Sequence, residues 1–168
     1  SADSALEGTT GGDIITGLAG NDVISGLAGA DYIVGGAGDD TIKGGQGEDA
    51  AAFSGAFNAY TITTNNDGSI SVAHKNSGSD GTDTLSGVET LEFADARITV
   101  GDVNPILVTD SVTVNEGQSV TMNVSTLLSN DFDFQQSAST LKVTSVTSAK
   151  FGSIATAESG GAVTAITY

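Results

Sequence analysis

Five nine-residue units follow one another without a gap from Gly8 to Ala52: GTTGGDIIT, GLAGNDVIS, GLAGADYIV, GGAGDDTIK and GGQGEDAAA. Every unit has Gly at its first place (Gly8, Gly17, Gly26, Gly35, Gly44) and at its fourth (Gly11, Gly20, Gly29, Gly38, Gly47). Every unit has Asp at its sixth place: Asp13, Asp22, Asp31, Asp40 and Asp49. The first four have Ile at the eighth, namely Ile15, Ile24, Ile33 and Ile42. A flexible acidic linker would share the Gly and Asp content but would not hold this register. Glycine permits backbone angles that a side chain forbids, so each unit can turn sharply. Tight turns aim backbone carbonyls inward, and the aspartate adds a charged oxygen beside them. Calcium takes six to eight such oxygens at roughly 2.3–2.6 Å. The three places after each Asp are β-formers, so a unit reads as a turn plus a very short strand.

The Gly–Gly–x–Gly–x–Asp–x–apolar–x pattern resembles the calcium-binding RTX nonapeptide repeat, whose calcium link is established and is not inferred from these residues. The resemblance implies a parallel β-roll with two units per coil. The eighth-place isoleucines would then stack inward as two apolar rows. The sixth-place aspartates would pair at every second unit: Asp13 with Asp31, Asp31 with Asp49, and Asp22 with Asp40. Calcium bridging each pair gives three full sites, with the glycine turns supplying carbonyls.

Charge sharpens that reading. The 168 residues hold 21 Asp and Glu against 5 Lys and Arg, a formal net charge of −16. Stacked carboxylates without a counter-ion repel one another, and divalent cations would neutralise them. The same acidity disfavours nucleic acid and anionic membrane surfaces as partners. The chain has no cysteine, so no disulfide can staple a thin, Gly-rich core, and metal is the remaining staple. No apolar run approaches the length of a membrane-spanning helix. The N-terminal SADSALEGTT does not read as a signal peptide, and the chain reads as a fragment of something longer.

The apolar column lapses at Ala51, where the repeat is expected to end. Beyond it, Tyr60–Thr64, Ser69–Val72, Val88–Phe93 and Ile98–Val100 read as strands, with Asn66-Asp67-Gly68 as a hairpin turn. The stretch AAFSGAFNAYTITT through GTDTLSGVETLEFADARITV resembles the tail that follows RTX repeats in bacterial proteins exported by type I secretion. It is expected to cap the roll, since repeat folds need terminal units of different character. Phe53, Phe57, Tyr60, Leu91 and Phe93 are candidates for the cap core; an aromatic-lined ligand pocket is the sharper alternative.

Asp102-Val103-Asn104-Pro105 reads as a linker containing the chain's single proline. After it, residues 111–114, 119–124, 141–146 and 162–168 alternate in the manner of a β-sandwich. VTDSVTVNEGQSVTMNV, then SNDFD, then TLKVTSVTSAKFGSI resemble the cadherin-like or immunoglobulin-like repeats of large bacterial surface adhesins. That family carries a further acidic run after Asn-Asp-x-Asp. Phe134-Gln135-Gln136-Ser137 stands there instead, which weakens any metal site at Asp131 and Asp133. The family also continues past the final tyrosine, so truncation accounts for the missing strands.

The expected architecture is therefore all-β: a parallel β-roll over 1–52, a β-rich cap over 53–103 and an incomplete antiparallel β-sandwich over 104–168. No catalytic residue is nominated. His74 reads as a solvated loop histidine, Glu89 and Glu92 as opposite faces of one strand, and no nucleophile elbow, zinc motif or phosphate loop occurs. The functional expectation is a calcium-dependent structural module of a large secreted or cell-surface bacterial protein, an adhesin, that folds after export. Its partners would be calcium ions, the remainder of the parent protein and an unidentified host or matrix ligand. Alternatives are a secretion module on an extracellular enzyme or toxin, and a carbohydrate- or protein-binding module.

Overall fold

The computed structural model describes residues 2–101, 106–133, 141–143, 145–146, 153–159 and 162–168. It divides into two units, Ser1–Asp102 and Val103–Tyr168. The expected linker at 102–105 and the segment Phe134–Ser137 lie outside the described residues.

In the first unit the strands are β1 (Ala5–Glu7), β2 (Ile14–Ala19), β3 (Val23–Ala28), β4 (Tyr32–Ala37), β5 (Thr41–Gln46), β6 (Ala50–Ala52), β7 (Tyr60–Thr64), β8 (Ile70–His74), β9 (Thr82–Ser86), β10 (Thr90–Glu92) and β11 (Arg97–Thr99). Successive repeat strands alternate between two sheets, ordered β1-β3-β5-β9-β8-β7 and β11-β10-β6-β4-β2. Within each sheet the repeat strands are parallel, and Ile15 pairs with Ile33 as Ile24 pairs with Ile42. Two units thus make one coil, as the resemblance implies. The strands are longer than the expected three residues. Each runs six residues, through the first-place glycine into the third place of the next unit.

Two stacked columns form the core. One is Leu6, Ile24, Ile42 and Leu85; the other is Ile15, Ile33, Ala51, Leu91 and Ile98. Ile24, Ile33, Ala51, Leu85 and Leu91 are fully buried. The expectation that the column ends at Ala51 is corrected here. Ala51 sits inside it, and the chain leaves the roll after β6 only to return with β9 on β5 and β10 on β6, both parallel. The roll also begins earlier than Gly8, because Leu6 of β1 already lies in register with Ile24. Roll and cap share one unit and one core.

The excursion is the hairpin β7–β8, antiparallel and turned through Gly68 at φ 84°. Beside it Phe53, Phe57, Tyr60 and Phe93 are all buried. Their ring centroids lie 5.1–5.4 Å apart, so they interlock as a packed cap core.

At the second place of a unit the backbone enters the left-handed region. Gly36 (φ 110°) and Gly45 (φ 121°) do so freely, but Leu18 (φ 81°) and Leu27 (φ 76°) occupy the same place. That conformation costs an L-residue about 1–2 kcal/mol. Leu18 is 68% exposed and has little packing to lose. Glycine gives back about 0.5–1 kcal/mol through its freer unfolded chain. Leu18→Gly should therefore stabilise the roll by up to about 1 kcal/mol, seen as a higher melting temperature at fixed calcium. A lower one would mean that the leucine's contacts outweigh its strain.

The second unit holds β12 (Thr121–Asn123), a single helical turn α1 (Val124–Leu127), β13 (Ala155–Ser159) and β14 (Ala162–Thr167). The strands form one antiparallel sheet, ordered β12-β14-β13. This layer is what the described residues show of the expected sandwich. Ser111–Val114 is not a strand, nor are 141–143 and 145–146, and Val124 opens the helical turn instead of ending a strand. β13 was not anticipated: its side chains are all exposed, so it carries no alternation to read.

Candidate metal centre

The glycines at the first and fourth places serve different ends. At the fourth place Gly20, Gly29, Gly38 and Gly47 have φ between 117° and 136°, where a side chain would be strained. Gly11 of the first unit does not share that conformation. At the first place the requirement is space. A Cβ on Gly8 would lie 2.7 Å from the Gly26 carbonyl oxygen and 2.9 Å from Asp13 Oδ2. A Cβ on Gly17 would collide with the Gly35 carbonyl and with Asp22 Oδ2, and one on Gly26 with the Gly44 carbonyl and Asp31 Oδ2. On Gly44 it would meet the Gly87 carbonyl and Asp49 Oδ2, and on Gly35, Asp40 Oδ2. At Gly8, Gly17, Gly26 and Gly44 a carbonyl and a carboxylate oxygen thus converge on the volume that the missing side chain leaves open.

The sixth-place aspartates stack with the expected pairing. The Asp13 N–H donates to Asp31 Oδ1 (2.8 Å), Asp31 N–H to Asp49 Oδ1 (2.9 Å) and Asp22 N–H to Asp40 Oδ1 (2.7 Å). Asp22, Asp31, Asp40 and Asp49 are each no more than 2% exposed. One oxygen of each carboxylate is therefore committed to the backbone of the neighbouring coil. The other, Oδ2, is buried and has no hydrogen-bond partner in all four. A buried carboxylate oxygen left unpaired is costly, and a bound cation is the ordinary remedy. Asp13 differs: it is only partly buried, and its Oδ2 accepts from the N–H (2.6 Å) and hydroxyl (2.9 Å) of Thr9.

The chemistry of this donor set fits a hard cation. No group of three or more His, Cys, Asp or Glu side chains converges among the described residues. A metal held here must draw on backbone oxygens as well as carboxylates, which suits calcium and disfavours metals that need imidazole or thiolate.

Both aspartate columns run past the repeat, a feature that the sequence reading missed. The Asp40 N–H donates to Asp83 Oδ1 (2.8 Å), and the Asp49 N–H to Glu89 Oε2 (2.9 Å). Below the first column the Ser4 N–H donates to Asp22 Oδ1 (2.7 Å). A second ladder runs the opposite way through the fifth places: Asn21 N–H to Asp3, Asp39 N–H to Asn21, and Thr82 N–H to Asp39. Burial, with neighbouring carboxylates adding to it, raises the pKa values of Asp40 and Asp49 above the ordinary carboxylate range. Burial likewise pushes Asp83 up to about 8, with Asp40 and Asp80 contributing. These columns hold negative charge only at a cost that a cation would relieve.

The remaining candidates are structural. His74 is not a solvated loop residue: it ends β8, its ring centroid lies 4.5 Å from that of Tyr60, and Nδ1 is 3.9 Å from Asp80. Asp80 accepts hydrogen bonds from Ser54, Ser79 and the Tyr60 hydroxyl. Burial acts to raise its pKa, but the bonds from Tyr60 and Ser54 outweigh it, so the pKa lies below the ordinary carboxylate range. Tyr60 is pushed up to about 12 by burial and by that carboxylate. Glu92 pairs with Arg97 at 3.3 Å, while Glu89 precedes its strand and closes the aspartate column. In the second unit Asp131 accepts from the Val108 N–H (2.8 Å), a role in holding the backbone.

No curated protein matches the chain. Residues 7–42 and 25–50 match the family model of the RTX calcium-binding nonapeptide repeat, which spans four copies, so this stretch of the roll carries a calcium-binding repeat.

Proposed function

We propose that the roll is a calcium-dependent folding and structural module of a large secreted or cell-surface protein. The reading rests on one observation above the others: four buried aspartates whose Oδ2 atoms lack partners, three of them beside a glycine carbonyl. Asp13, Asp22, Asp31, Asp40 and Asp49 would supply carboxylate oxygens, and the turns around the first- and fourth-place glycines the carbonyls. Calcium would add a fixed positive charge between coils that otherwise stack like charges. In a calcium-poor cytosol the sites stay empty and the chain stays unfolded for export; outside the cell it folds. The likeness of residues 106–168 to adhesin repeats favours a surface adhesin as parent, with the module in a non-catalytic role. Native mass spectrometry of the folded chain should record at least three calcium ions. A folded chain that retains none would end this reading.

A further inference from the structure

The segment that returns to the roll after the hairpin has a register of its own. Gly78–Ser86 reads GSDGTDTLS, with Gly at the first and fourth places, Asp at the sixth and an apolar residue at the eighth. Residues 53–77 separate it from the fifth unit, so a contiguous repeat does not reveal it. The structure stacks it on the fourth unit place for place. Thr84 pairs with Thr41, Leu85 with Ile42 and Ser86 with Lys43. Gly81, at φ 66°, lies against the Gly38 carbonyl. Asp83 accepts the Asp40 N–H as Asp40 accepts that of Asp22. The likeness holds from the fourth place onward. At the third, Asp80 turns to Ser54 and Tyr60 instead.

We infer that Gly78–Ser86 is a sixth nonapeptide unit carried by the cap, and that Asp40 and Asp83 close a further calcium site between it and the fourth unit. A buried, unpartnered carboxylate oxygen supports a ligand there. Asp40 is 2% exposed and its Oδ2 has no partner, although both neighbouring coils are in place. Asp83, which accepts the Asp40 N–H, is equally buried. Two carboxylates stacked in the register of the repeat, one with a buried unpartnered oxygen, suit the same hard cation. This site rests on the calcium reading proposed above and extends it to residues outside the matched repeat.

Asp83→Asn in the full chain tests it, because asparagine keeps an oxygen for the Asp40 N–H and removes only the charge. Ion counts by native mass spectrometry, with titration calorimetry, should show one calcium fewer per chain than the parent. An unchanged count would overturn the Asp40–Asp83 site while leaving the repeat sites standing. A parent chain that binds no calcium would overturn both, so the two failures are distinguishable. Should Asp83→Asn not fold, the parent answers alone. The folded parent should hold at least four ions, one for each of the pairs Asp13–Asp31, Asp31–Asp49, Asp22–Asp40 and Asp40–Asp83. A saturated count of three or fewer would overturn the site.

Discussion

In excess chelator the roll should lose its far-ultraviolet β signal, and about 10 mM calcium should restore it. The expected size follows from few terms. Extracellular calcium modules have dissociation constants of roughly 10⁻⁴–10⁻³ M. A site at a hundredfold excess contributes about 2.7 kcal/mol to the folded state. Three sites then contribute about 8 kcal/mol, against a whole-domain stability of roughly 5–15 kcal/mol. Without the ions, four carboxylates remain buried with one oxygen unpaired each. The hydrophobic columns that must outweigh this are thin, one residue per strand, and one of them contains Ala51. Circular dichroism with chelator and then calcium measures the change directly. A spectrum in chelator matching the calcium form would show that packing alone holds the roll, and would sink the folding claim.

Asp31→Asn should act in opposite directions with and without calcium. Asp31 stands between Asp13 and Asp49 in its column, so it would serve two sites. In hundredfold calcium its loss should cost about 5 kcal/mol, two sites' contribution, and Asp13→Asn, which touches one pair, about half as much. In chelator the sign reverses. Asparagine retains the oxygen that accepts the Asp13 N–H and removes a charge that nothing compensates, so the calcium-free chain should be no less structured than the parent. Thermal melts of the three proteins in calcium, and their circular dichroism in chelator, give the comparison. If Asp31→Asn melts with the parent in calcium, the ions do not sit between stacked aspartates.

Most of the roll was legible because its signals are strictly periodic. The nine-residue register set the two-unit coil, the Ile columns and the Asp13–Asp31, Asp31–Asp49 and Asp22–Asp40 pairs, all of which the structure stacks. What escaped was whatever depends on space and not on sequence continuity. Leu85 and Leu91 continue the columns from a distant stretch, so Ala51 looked like an end. Asp83 drew no remark, and Glu89 read as an ordinary strand acid, for the same reason. First-place glycines hid the second half of each strand, since glycine is a poor strand signal. In the second unit, Ser111–Val114 alternates as a strand should, but alternation only offers a face; a strand needs a neighbouring backbone, and none pairs with it among the described residues.

The detour through β7 and β8 sets an order on how the stack comes together. Inside the repeat each new coil closes a segment of 18 residues, whereas Asp83 reaches Asp40 across 43 and Glu89 reaches Asp49 across 40. Joining the longer segment costs about 0.8 kcal/mol more in lost chain freedom. The repeat coils can therefore zip one upon another at low entropic cost, while the last coil waits for a pre-formed surface. The aromatic cluster of Phe53, Phe57, Tyr60 and Phe93 sits where that late closure must be held. These closure costs favour growth from the contiguous repeat toward the cap, with melting in the reverse order.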